Sequence, residues 1–165
     1  NLDQKTFEGI DRNAFGKVLE SLPLRRRIRT SKMIYRWLPV GHNWQKCNLN
    51  TDKCPCCGAP DETFEHLLRC ENEELVTVRQ AAIEKIRTDA TQIGIPARVL
   101  DAMLTIIRSV FRGDEPPEPT TERIHQAATA QSRIGHYHMA IGLFSSKWAE
   151  IMEEMEAKQP QKMME

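Results

Sequence analysis

The stretch Cys54-Pro-Cys-Cys-Gly-Ala-Pro-Asp-Glu-Thr-Phe-Glu-His-Leu-Leu-Arg-Cys70 organises the whole chain. Written as metal donors it is C-x2-C-x8-H-x3-C, with Cys54, Cys57, His66 and Cys70 as ligands. Two cysteines separated by two residues and followed by Gly58 form a knuckle. Its turn brings both sulfurs to one ion, and glycine tolerates the positive φ such a turn needs. Pro60-Asp61 reads as the start of a helix, with Asp61 as N-cap and Glu62 at the positive end of the dipole. His66 and Cys70 stand four residues apart and project from one helical face. Four such donors close a tetrahedron around one structural Zn2+ and leave no position for a catalytic water. Cys56 and Cys47 are the alternative thiols, and the spacing before Gly58 favours Cys57. A small module with little core of its own couples folding to metal binding.

Composition sets the frame around this module. The 165 residues carry 23 basic and 23 acidic side chains, with 40% hydrophobic residues, as in a globular protein. No run is long and apolar enough for a membrane span. Five cysteines without a secretory signal argue for metal ligation over a disulfide framework, and for an intracellular, nuclear or cytoplasmic setting. The chain opens without Met or a signal pattern and reads as a piece of a longer polypeptide. Zero net charge hides an asymmetry. Residues 1–70 hold 12 basic and 8 acidic groups, whereas residues 71–165 hold 11 and 15.

The positive excess lies just ahead of the metal module, in Arg25, Arg26, Arg27, Arg29, Lys32 and Arg36, with Lys46 following. Tyr35 and Trp44 add rings that can stack on unpaired bases, and guanidiniums neutralise phosphate. These residues form the candidate nucleic-acid contact. Trp37 continues the apolar face of Ile34 and Leu38 and is expected in the core.

The expected fold class is mainly α: a small helical domain with one knuckle and short-helix module and a long C-terminal helix. Residues 1–46 form a basic amphipathic helical segment, 47–70 the metal module, and 71–113 a helical pair in which 97–112 is the central helix. Three prolines within 114–121 make a linker. From 122 to 158 an apolar stripe (Ile124, Ala127, Gln131, Ile134, Tyr137, Ile141, Phe144, Trp148, Ile151, Met155) steps by 3 and 4, so one helix is expected, followed by a tail over 159–165. Gly135 and Gly142 mark positions of close packing or a bend. Such a stripe also allows self-association. His125, His136 and His138 lie on a helix with no acid or nucleophile placed to make them catalytic, and no catalytic motif is present, so the chain is not expected to be an enzyme.

The order R-W-L-P-V-G-H (36–42), C-P-C-C-G (54–58) and D-E-T-F-E-H-L-L-R-C (61–70) resembles the zinc-binding region downstream of the polymerase in non-LTR retrotransposon-type reverse transcriptases. There a W-L-P-T-G stretch commonly precedes the C-P-x-C and E-T-x-x-H-L-L-x-C elements, and Val40 stands here for the usual Thr. Residues 131–148 are similar to a helical stretch at the C-terminal end of such proteins. The resemblance implies Cys54, Cys57, His66 and Cys70 as CCHC ligands. It further implies an accessory region that grips template RNA or target DNA beside an upstream polymerase region. The Y/F-x-D-D motif of the polymerase is absent, so that chemistry is expected outside these residues.

Overall fold

The structure, a computed structural model, describes residues 3–41, 53–119 and 121–157. His42, Trp44, Lys46 and Cys47 lie outside the described residues, as does the expected tail. The described residues are mainly helical: α1 (Gln4–Glu8), α2 (Arg12–Ser21), α3 (Leu24–Ile34), α4 (Phe64–Arg69), α5 (Glu73–Gln92), α6 (Ala97–Arg112), α7 (Glu122–Ile134), α8 (His136–Ala140) and α9 (Ser146–Ala157). The sole β feature among them is an isolated bridge between Ile10 and Ser145. None of these helices is long and apolar enough to cross a membrane.

The central position expected for α6 is observed. Pro96 precedes its first turn, and Gly113, at φ +80°, closes its last. Its two apolar rows bury Val99, Leu100, Leu104, Ile106 and Ile107 against Ile83 and Ala90 of α5, Ile124 and Ala127 of α7, Met139 of α8, and Trp148 and Ile151 of α9. A second core gathers Ile10, Val40, Phe64, Ile134, Ile141 and Leu143, with Leu38, Leu67, Leu68 and Tyr137 packed against it. This second core seats the metal module on the rest of the chain.

Two elements depart from the pattern-based reading. The expected helix over 122–158 is three helices, broken at Gly135 (φ 106°, ψ 131°) and Gly142 (φ 93°). Both conformations favour glycine. A Cβ at Gly135 would also come within 3.0 Å of His138 Nδ1. The stripe stays buried because the broken chain folds back over both cores. Buried Gln131 makes the fold-back possible: its amide donates to the Leu143 carbonyl (3.2 Å) and accepts from the Ser145 N–H (2.9 Å). The returning strand of chain is clamped from the far side, since Asp11 N–H donates to Phe144 O and Ser146 N–H to Gly9 O. Replacing Gln131 by Leu keeps the volume but strands two buried backbone groups, at about 1–3 kcal/mol each. A thermal melt of Gln131→Leu should therefore show a clearly lower Tm, by roughly 2–4 °C per kcal/mol lost. An unchanged Tm would contradict this role.

The second departure is at α3, which ends at Ile34, so the apolar face expected to continue through Trp37 and Leu38 is broken. Arg36 takes the left-handed conformation (φ 56°), while Trp37 N–H donates to Lys32 O and Arg36 N–H to Met33 O. This is a Schellman cap with arginine where glycine is usual. The turn sends Leu38 and Val40 into the second core and swings Trp37 outward to 72% exposure. Trp37 is thus a surface residue, not the core residue its helical spacing suggested.

Candidate metal centre

Local chain geometry builds the site from both sides. On the knuckle side, Gly58 (φ +74°) donates its N–H to Cys54 O, and Cys54 N–H donates to Ala59 O, which closes a tight turn. On the helix side, α4 is capped by Thr63, whose hydroxyl accepts from His66 N–H at 3.1 Å. The expected N-cap, Asp61, instead occupies a left-handed turn (φ 54°) two residues earlier. Thr63 takes over because its extended backbone starts the helix at Phe64. Phe64, Leu67 and Leu68 then face the second core while His66 faces the knuckle.

Cys54, Cys57, His66 and Cys70 come together, with one donor atom from each lying within 4.8 Å of the other three. The Cys54 and Cys70 sulfurs are 3.8 Å apart, and Cys57 Sγ is 3.3 Å from His66 Nε2. A tetrahedral ion with metal–sulfur bonds of about 2.3 Å and metal–nitrogen bonds of about 2.0–2.1 Å needs donor separations of about 3.5–3.8 Å. The residues present fit such an ion. Cys56 is exposed and outside this group, so Cys57 is the cysteine that the turn delivers.

The surroundings tune the thiols differently. The Ala59 N–H pointing at Cys57 lowers the pKa of that thiol. Burial pushes Cys70 up to about 11, although the Asn72 N–H opposes this. A bound cation would reverse that preference, because only the thiolate is a ligand. The stability of the metal-loaded protein should accordingly depend on pH through its ligands. With metal, ligand protons compete with the ion and stability falls as pH drops. Urea midpoints of the metal-loaded protein measured from roughly pH 8 down to 5 check this, and a midpoint that does not fall would contradict it.

The module is tied down by long-range contacts that local pattern does not reveal, with Glu62 and Arg36 in roles other than the dipole and phosphate contacts expected of them. Glu62 is buried and accepts the Gly41 N–H at 2.6 Å. Glu65 pairs with Arg36 at 2.8 Å, and the Arg36 guanidinium lies 5.2 Å from the centre of the Tyr137 ring. Asn72 caps α5 and donates to Cys56 O, and Arg79 donates to Cys70 O. Glu62 and Glu65 are the acids of the D-E-T-F-E-H stretch, so the signal was present, but their partners lie some 20 to 30 residues away in sequence.

The basic candidates divide into two groups. Arg25, Arg26, Arg29 and Lys32 are exposed on α3 and make no ion pair among the described residues. Arg27 caps the end of α2 through Glu20 O and Leu22 O, and Arg36 is engaged with Glu65. Tyr35 is exposed beside Trp37, with ring centroids 5.6 Å apart. Comparison with protein-family models, curated proteins and solved structures finds no match to this chain. The chemistry of the site therefore rests on its own geometry. His138 is not in this donor group and is half-buried, with its pKa lowered by burial.

Proposed function

We propose that this chain is a zinc-stabilised nucleic-acid-binding element without a catalytic role of its own, an accessory region of a retroelement-type reverse transcriptase that grips template RNA or target DNA. Three thiolates and an imidazole in tetrahedral range are the donor set of structural zinc, which fills all four positions with protein ligands. The observation that carries the nucleic-acid reading is α3. Five cations and no acid occupy its eleven residues, and an exposed Tyr35–Trp37 pair stands at its end. A cationic row tracks phosphates while adjacent rings stack on bases. Arg36, Val40 and Gly41 fix this helix to the metal module, so the zinc site positions the basic surface.

The family resemblance adds support of a different kind. Its three stretches, 36–42, 54–70 and 131–148, are distant in sequence yet all feed the second core through Leu38 and Val40, Phe64, and Ile134, Ile141 and Leu143. The test is a fluorescence-anisotropy titration of the zinc-loaded chain with a structured RNA and a duplex DNA, each at two salt concentrations. Micromolar or tighter binding that weakens steeply with salt is expected. Absence of binding at low salt would refute the reading and leave zinc as a staple in a protein-interaction module. That alternative has less to work with along 124–151, because Ile124, Ala127, Ile134, Ile141, Trp148 and Ile151 are spent inside the chain. Exposed apolar side chains lie elsewhere among the described residues, at Phe7, Val18, Leu24, Ile28, Val78 and Ile86 and at Ile93 just past the end of α5.

A further inference from the structure

A groove of about 460 Å³ runs between the metal module and the helix pair that follows it. Four arginines from three helices line it: Arg69 at the end of α4, Arg79 on α5, and Arg108 and Arg112 on α6. The acids in its wall are Glu71 and Glu84, so the lining carries two positive charges in excess. Glu84 is shared between neighbours, at 3.6 Å from Arg108 and 3.9 Å from Arg87, which leaves the imbalance standing. Like charges collected in one concavity repel, and an anion relieves them.

The guanidiniums are also held in place. Arg69 Nε donates to Val110 O at 3.1 Å, and its side chain lies against Gly113, where an added Cβ would come within 3.8 Å. Arg79 donates one nitrogen to Cys70 O and lies over the Phe111 ring. Arg112 Nε pairs with Asp114 at 3.2 Å. Each anchor uses one of the five N–H donors of a guanidinium and leaves the others for a ligand. Val76, Ile83 and Phe111 supply an apolar wall. A volume within the usual range for small-molecule sites, a cationic rim and an apolar wall together suit a phosphate joined to a less polar body.

We propose that this groove binds the phosphate of a nucleotide, free or within a strand, between Arg69, Arg79, Arg108 and Arg112. The site shares no residue with the basic helix α3 and stands or falls separately from it.

The experiment uses the full zinc-loaded chain and isothermal titration calorimetry with three probes: inorganic pyrophosphate, adenosine 5′-monophosphate and a short oligouridine. The principal variant is Arg108→Gln with Arg112→Gln, which spares the two arginines that hold backbone carbonyls. A parallel variant, Arg108→Lys with Arg112→Lys, keeps the charge and loses the fork. Matching circular dichroism melts establish that both fold. The expected result is saturable binding of the monophosphate by the parent, weakened at least tenfold by the glutamine pair and less by the lysine pair. Neutralising α3 should leave monophosphate binding unchanged. An oligomer that binds more tightly than the monophosphate and loses affinity in the glutamine pair identifies strand phosphate as the ligand. Equal affinities identify the free nucleotide. Equal binding of the monophosphate by parent and glutamine pair, or no saturable binding of any probe at low salt, would overturn the proposal. Oligomer binding abolished only by the α3 variant, with no monophosphate bound, would overturn it too while sustaining the reading of α3.

Discussion

Removing zinc from the loaded chain should unfold residues 54–70 and release residues 36–41, while the helices around the first core stay folded. The expectation follows from how little else holds the module. Helix α4 has six residues, far fewer than an isolated helix needs in water. Cys54 and Cys70 are buried with their sulfurs 3.8 Å apart, an arrangement that two thiolates can occupy only around a cation. Structural zinc in small modules supplies an apparent 10–16 kcal/mol, roughly the size of a whole domain's net stability.

The effect should spread along defined contacts. Phe64 leaves the second core, Glu62 releases Gly41, and Glu65 releases Arg36, so the turn after α3 loses three supports together. The first core contains no residue of the module, and α6 should keep its protection. Hydrogen exchange with and without a chelator measures this directly: protection lost over 54–70 and 36–41 and kept over 99–110. Cys70→Ser should reproduce the pattern with metal present, whereas Cys56→Ser should leave metal affinity within about twofold, since Cys56 lies outside the donor cluster. Unchanged exchange after complete removal of the metal would refute the coupling.

Replacing Arg25, Arg26, Arg29 and Lys32 by glutamine should cost the largest share of nucleic-acid affinity. For a single strand, each neutralised phosphate contributes about 0.7 to the slope of log K against log salt, so four cations account for nearly three. Near 0.1 M salt this corresponds to a loss on the order of 10²–10³-fold, shrinking as salt rises. Tyr35→Ala and Trp37→Ala should behave differently, each costing about 1–3 kcal/mol with little change of slope, because stacking releases no counterions. Arg36→Gln should instead lower the melting temperature, since Arg36 is bound to Glu65 and caps α3. A quadruple variant with the parent's affinity and salt slope would refute the assignment of α3.

The metal centre was legible in sequence because its donors are close together and their positions are fixed by local rules. A glycine behind a C-x2-C turn and a short helix carrying His66 suffice to bring four donor atoms within 4.8 Å. Only the cap was misplaced, Thr63 acting where Asp61 was expected. The central helix was equally legible, since its two apolar rows leave it no exposed arrangement. The exposure of Trp37 was not, because it depends on a left-handed arginine held by Glu65, 29 positions onward.

The sequence by itself determined the helical class, the four donors and the density of charge on α3, all properties of neighbours within one or two turns. Tertiary structure decided the rest: the three helices of 122–157, the division into two cores, and the part each polar residue plays. The apolar stripe through Gln131 fits one straight helix as well as it fits a broken one. What separates them is that Gln131 satisfies Leu143 and Ser145 across a reversal that Gly135 and Gly142 permit. Periodicity records which side chains are buried, and only the folded chain shows which backbone groups they must satisfy once there.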